Sequence, residues 1–356
     1  MRLPTATPLN RLLLIAPFFL WGTAMVAMKG VIPQTTPLFM AGLRIIPAGI
    51  LVVIVAGLWG SRFPQTWAAW GWICLFALVD GTLFQGFLAT GLVKTGAGLG
   101  SVMIDSQPLA VALLALWLYG ERIGIWGWIG LLVGITGISC IGLPDDWIHM
   151  LLSGTVSPLA LLQETSLSSF LHNGEALMLF AALAMAVGTV MIPRVAKSAD
   201  PIMATGWHMI LGGLPLWLGS GLWESQQWQQ LDLSAWLAIG YATVFGSAIA
   251  YGLFFYYASL GNVTSLSALT FLTPVFALVF GHWFLAEVLT PIQFGGVCLT
   301  LISIYLVNQR GALAAVWADL WQAQWARRQF RGLLGRGKMI EVAIEVMEAS
   351  SKPRQP

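Results

Sequence analysis

The sequence predicts an all-α polytopic membrane protein of ten transmembrane helices in two inverted five-helix repeats, on three observations. Of 356 residues, 58% are hydrophobic and only 9% charged, with a mean hydropathy of +0.80. A soluble domain averages about 25% charged residues, so this chain could not cover itself against water, and a soluble enzyme is excluded. Ten apolar runs follow one another, near 11–29, 37–59, 69–92, 97–119, 124–143, 175–193, 201–223, 235–258, 263–285 and 291–309. Each has roughly the 20 residues a span requires, where a membrane β-barrel would show weak alternating segments of about ten. Finally, the chain matches itself under a shift of 166 residues.

The first run follows Arg2 and Arg11 but is longer than a signal-peptide core and is followed by nine more, so it reads as a retained helix. The second opens at Pro37 and carries Arg44, the third carries Asp80 and Gln85, and the fourth carries Asp105, Gln107 and Pro108. In the fifth, glycines 124, 127, 130, 134 and 137 thin one side for close packing, between helices or between protomers of a homodimer. The first repeat is thus expected over 11–143 and the second over 175–309. Between them, 144–174 has no Lys or Arg and no piece long enough to span, as suits an extracytoplasmic interfacial loop.

Lysines and arginines crowd cytoplasmic segments. With the N-terminus inside, inner segments and tail hold fourteen of the seventeen, which predicts cytoplasmic N- and C-termini in a multi-pass protein of the plasma (inner) membrane. In the tail, 310–356, Trp317, Trp321 and Trp325 recur every four residues ahead of Arg327, Arg328 and Arg331. That pattern suits an amphipathic helix in the headgroups of the lipid bilayer, or a protein-docking helix. The three cysteines, Cys74, Cys140 and Cys298, lie in apolar runs without paired spacing and read as packing.

The 166-residue shift places Ser101 on Ser267, Pro108 on Pro274, Glu121 on Glu287, Gly130 on Gly296 and Gly22-Thr23 on Gly188-Thr189; in the second helix it becomes 164, placing Arg44 on His208. Five spans is an odd number, so the second copy enters the membrane from the opposite side. Inverted repeats are associated with alternating access around a site near the midplane. Trp21-Gly22-Thr23, with the stretch from Ser101 to Gly142 and its partner from Ser265 to Asn308, resembles the paired domains of EamA-type transporters of the drug/metabolite transporter superfamily. The most specific shared feature is a helix with a mid-span Pro, a Glu thirteen residues later and a Gly-bearing helix, in both halves. The resemblance covers about 11–309 and implies ten helices, a central cavity and, usually, export of small metabolites. Asp105, the long central loop and the tail depart from the family pattern.

An ionisable group inside a span is by default a functional candidate. Arg44 lies seven residues past Pro37 and Asp105 eight past Ala97, depths of roughly 10 and 12 Å below the outer surface by helical rise. Opposite charges at one depth should pair, as a substrate clamp or as a structural ion pair. Asp80 lies roughly 16 Å from the inner face. It can exchange a proton during transport, line the cavity, or hydrogen-bond a neighbouring helix. His208, at the position equivalent to Arg44, is a candidate polar contact toward the inner face, or a packing histidine; His282 reads as interfacial. Gln85, Gln107 and Tyr251 supply hydrogen-bonding groups, and Trp21, Phe84 and Tyr251 supply aromatic walls unless they simply pack. Gln107 precedes Pro108, where a missing N–H frees a carbonyl. Glu121 and Glu287 fall at helix ends and read as anchors.

No histidine has ligand spacing to a carboxylate or thiol, so no metal is expected. Gly332 to Lys338 imitates a phosphate loop, but Met339 replaces the required Ser or Thr and no strand precedes it, so no cofactor is expected. Net charge +2 gives no reason to expect nucleic acid. The expected function is therefore a secondary active or facilitative transporter of a small-molecule substrate, with proton coupling through Asp80 one option. It most plainly reads as an exporter of amino acids, related metabolites or drugs; an importer of the same fold is the alternative, and a membrane scaffold or enzyme the reading from another class.

Overall fold

The computed structural model describes residues 8–120, 123–143, 148–149, 153, 173–259, 269–270 and 272–319. Among them the chain is helical and forms no strand. Helix α1 runs Pro8–Val31 and α2 Pro37–Leu58; α3, Trp67–Lys94, contains a π-helical stretch at Ala77–Phe84. The fourth run is two helices, α4 (Ala97–Ile104) and α5 (Gln107–Tyr119), followed by α6 (Gly124–Gly142). The second half holds α7 (Gly174–Ser198), α8 (Pro201–Trp223) and α9, whose parts are Leu233–Thr243, a π stretch Val244–Ile249 and Ala250–Ser259. Then come α10 (Leu272–Leu285) and α11 (Pro291–Asn308), with helix resuming over 310–319.

Eight of these segments are long and apolar enough to cross a membrane. Helix α8 has the length, at 23 residues, but His208, three tryptophans and its glycines lower its apolarity; α10 is a shorter apolar helix of 14. The expected single fourth helix breaks at Asp105-Ser106, just before Gln107-Pro108. The proline lacks an N–H to donate, and its ring would collide with the carbonyl four residues back, that of Ile104, where α4 ends. Ser106 Oγ then donates to the Met103 carbonyl. The loop 144–174, apart from a few residues, and the tail beyond 319 lie outside the described residues, as does Glu121.

Helix packing runs chiefly between the two halves. The second helices α2 and α8 cross each other, and the fifth helices α6 and α11 do the same. Helix α1 lies on α9 and α10, while its counterpart α7 lies on α3, α4 and α5. Each of these contacts has an equivalent when the halves are exchanged. Glycine permits the closest approaches: a Cβ on Gly49 would stand 2.7 Å from the Gly206 carbonyl oxygen, and one on Gly137 2.8 Å from that of Gly296. The glycine side of α6 is thus covered by α11 of the same chain, with Gly130 against Val307 and Gly134 against Ser303. Ser303 Oγ donates to the Gly130 carbonyl at 2.6 Å, satisfying a buried hydroxyl across that seam.

The loop ends are tied by carboxylates. Glu224, just past α8, accepts the Leu38 and Phe39 N–H groups at the start of α2. Glu287, past α10, accepts those of Ala97 and Gly98 at the start of α4. Each thus satisfies donors that a helix leaves unpaired and places negative charge at its positive end. Glu287 is accordingly the helix-end anchor its position suggested. Lys29, at the end of α1, donates to the carbonyls of Leu92 and Val93 at the end of α3.

Candidate functional site

Two wide turns organise the polar interior. The π stretch of α3 and that of α9 fall on one another under the 166-residue shift, so both third helices are deformed at the same place. A π turn adds a residue to the helical repeat, rotates the side chains that follow and disturbs the carbonyl ladder, and it occurs frequently at functional sites. In α3 it presents Asp80; in α9 it presents Ser247, whose hydroxyl reaches the Ala242 carbonyl five residues back.

The second helices reach these turns reciprocally. Arg44 on α2 donates from one terminal nitrogen to Ser247 Oγ at 2.8 Å, on the π turn of the other half, and from the second to Gln85 Oε1. His208, its repeat equivalent on α8, sets Nε2 3.2 Å from Asp80 Oδ2, on the π turn of the first half. Glycine makes room for the second of these approaches. A Cβ on Gly188 of α7 would stand 2.8 Å from Asp80 Oδ1, and one on Gly81 would stand 2.8 Å from the His208 carbonyl. All these groups are buried: Arg44 is 4% exposed, Asp80 7%, Gln85 5%, His208 2% and Ser247 0%.

Tyr251 extends the cluster. It is the repeat equivalent of Gln85, interacts with the Gln85 side chain and stands in the fields of Asp80 and Arg44. Trp21 lies edge-on to Tyr251 with ring centroids 5.3 Å apart, and Phe254 packs on the same indole. Arg44 Nε, His208 Nδ1 and Trp21 Nε1 are buried without a hydrogen-bond partner. Six expected site residues, Trp21, Arg44, Asp80, Gln85, His208 and Tyr251, therefore form one connected group.

The expected Arg44–Asp105 pair does not form. Helix α2 packs mainly on α8, α3 and α9, whereas α4 packs on α7, α10 and α1, so equal depth leaves the two side chains on different neighbours. Asp105 sits at the helix break and accepts from Ser101 Oγ, one turn back, at 3.1 Å. Gln107 accepts from Thr189 Oγ1 at 3.3 Å, and Thr189 adjoins the Gly188 that packs on Asp80, so Gln107 flanks the cluster. Phe84, on the π stretch, is buried in the main apolar core as packing. His282 lies at the periphery, its Nδ1 3.0 Å from the Glu287 carbonyl.

A cavity of about 430 Å³ opens elsewhere, between α1, α9 and α10. Its lining runs from Gln34 and Ser234 at the loop end through Ala238 and Phe284 to Thr23. Thr23 shares a 2.6 Å hydrogen bond with Tyr241 and lies two residues from Trp21. None of the cluster residues lines this cavity, and the cluster itself is packed shut. Among the described residues no three His, Cys, Asp or Glu side chains gather as a metal site.

The EamA-like transporter family model matches residues 10–143 and 172–309. The chain belongs to that family. An uncharacterized transporter of Synechocystis sp. is 60% identical over 312 residues, covering 87% of this chain and 93% of that one. A WAT1-related chloroplastic protein of Arabidopsis thaliana is 49% identical over 299 residues, covering 83% of this chain and 68% of that one. The PecM protein of Dickeya dadantii is 25% identical over 291 residues, covering 81% and 88%. One crystal structure shares the fold at a TM-score of 0.57 and 17% identity, over 83% of this chain and 96% of its own. The two matched segments are the two halves whose helices interlock, and the protein is an integral, multi-pass membrane protein of a transporter family.

Proposed function

We propose that the chain is a secondary transporter that works by alternating access, its two inverted five-helix repeats rocking about the Arg44–His208 cluster, and that it exports small organic metabolites such as amino acids, related compounds or drugs. The observation that carries this reading is reciprocity: each half contributes a cation or imidazole from its second helix to the π turn of the other half. Contacts of that kind must rearrange when one half tilts against the other, which couples binding at the cluster to the opening of either side. The packed cluster and the cavity along α1 suit a state closed at the site and open toward the end of α1. On charge distribution that end faces out, with both termini cytoplasmic in a plasma membrane.

Proton coupling would run through Asp80 and His208. The His208 Nε2 stands 3.2 Å from Asp80 Oδ2, the geometry of a pair able to share a proton. The other titratable or charged groups facing this pair are Tyr251 and, across Gln85, Arg44. The test is flux in proteoliposomes over a panel of amino acids and amphipathic drugs, with and without a pH gradient. Saturable flux is expected, faster with the gradient, and Asp80→Asn should retain exchange while losing the acceleration. Absence of saturable flux across the panel would overturn the transporter reading; flux indifferent to the gradient would overturn coupling alone.

A further inference from the structure

Arg44 is a buried cation whose contacts are neutral. Its two hydrogen-bond acceptors are a serine hydroxyl and a glutamine carbonyl oxygen. Asp80 pairs with His208, and Asp105, at the end of α4, accepts from Ser101. Nε, also buried, has no acceptor. A charge taken out of water without a counter-charge is costly, and proteins ordinarily pair it. The Nε edge of a guanidinium, formed by Nε–H and one terminal N–H, is a side-on fork that receives two oxygens of one oxyanion.

The surroundings define the rest of the ligand. Tyr251 stands beside Arg44, and Trp21 presses edge-on against Tyr251. The indole Nε1–H is a second buried donor without an acceptor. Donors without acceptors at a site next to aromatic faces describe a binding partner that is anionic at one end and flat and apolar at the other.

We propose that the solute carried at this site is a small organic anion, its oxyanion group held on the Nε edge of Arg44 and its apolar body against Trp21 and Tyr251. This rests on the transporter reading and names its substrate class. The carboxylate or phosphate completes the charge balance of Arg44, so the loaded site is less strained than the empty one. A neutral or cationic solute of the same shape would leave the guanidinium uncompensated.

The full-length chain in phosphatidylcholine nanodiscs, titrated with phenylacetate, phenyl phosphate, phenylacetamide and phenethylamine and followed by thermal unfolding, tests this directly. At least one anion should bind tenfold or more tightly than the amide, and the amine should not bind; which anion wins separates a carboxylate from a phosphate site. Arg44→Gln keeps a donor toward Ser247 and should abolish the preference, whereas Arg44→Lys should retain part of it. Trp21→Ala should weaken the aromatic anions while leaving them favoured over the amide. Equal binding of amide and anion, a preference that survives Arg44→Gln, or no binding of either anion would overturn the proposal. Should Arg44→Gln fail to fold, the ratio in the unmodified chain still decides. Saturable flux of neutral or cationic solutes without anion preference would sink this inference and leave the transporter reading standing; anion binding without flux of any solute would do the reverse.

Discussion

Arg44 and Asp105 have opposite charge and similar calculated depth, yet each is satisfied by a different neighbour. Alanine substitutions at the two positions should therefore have additive effects on unfolding free energy, within about 0.5 kcal/mol. Asp80 and His208 are in direct contact. Asp80→Asn combined with His208→Gln should depart from additivity by about 0.5–3 kcal/mol in a double-mutant cycle. Strong coupling in the first cycle and none in the second would mean the interior is wired otherwise. The sequence made Arg44, Asp80, Gln85 and His208 conspicuous because polar groups are rare in its spans. It could not show which met, since counting residues along a helix fixes depth and leaves the facing helix undetermined. Ser247 escaped notice because a serine in an apolar run is unremarkable until a guanidinium is seen resting on it, although its equivalence to Gly81 beside Asp80 was already in the shift.

At the scale of helices, the ends are held by carboxylates and the crossings by glycine. Glu287→Ala removes the acceptor for two N–H groups of α4 and should cost about 1.5–3 kcal/mol, the range for hydrogen bonds to a charged group; Glu287→Gln should cost less, and thermal unfolding in detergent measures both. Gly49→Leu should abolish folded yield on size exclusion, because the obstructing atom is a backbone oxygen of α8 that cannot swing aside. Outside the spans, Asp232 caps α9, and hydrogen bonds from the Ala235 N–H and Ser234 hold its carboxyl below the usual range. A depressed carboxyl stabilises the fold above its ordinary pKa, near 3.9, and that stabilisation disappears as pH falls through the lower folded value. The stability difference between the protein and Asp232→Asn should accordingly vanish in acid. The positions of most helices were legible from apolar runs and from prolines at 37, 201 and 291 that open them. The break at Asp105-Ser106 was signalled by Pro108 but hidden by unbroken hydrophobicity, and the π turns were invisible because one extra residue scarcely changes an apolar pattern.

For the whole molecule, the repeat read from the sequence has its physical counterpart in the exchange of helices between halves: α1 lies against the second half and α7 against the first. Such interlocking leaves neither half packed apart from the other, and the polar cluster belongs to both. Reporter fusions after Arg62 and Lys197 should read cytoplasmic, and one near Ser157 external; a cytoplasmic reading near Ser157 would contradict the inverted arrangement. The central claim is that solute is handled where Arg44 and His208 reach across to the opposite π turns. Its most direct test compares saturable proteoliposome flux in the unmodified chain with that of Arg44→Gln, His208→Gln and Asp105→Asn at matched folded yield. The account predicts at least a tenfold loss for the two cluster variants and near-normal flux for Asp105→Asn. Loss confined to Asp105→Asn, with both cluster variants fully active, would contradict it.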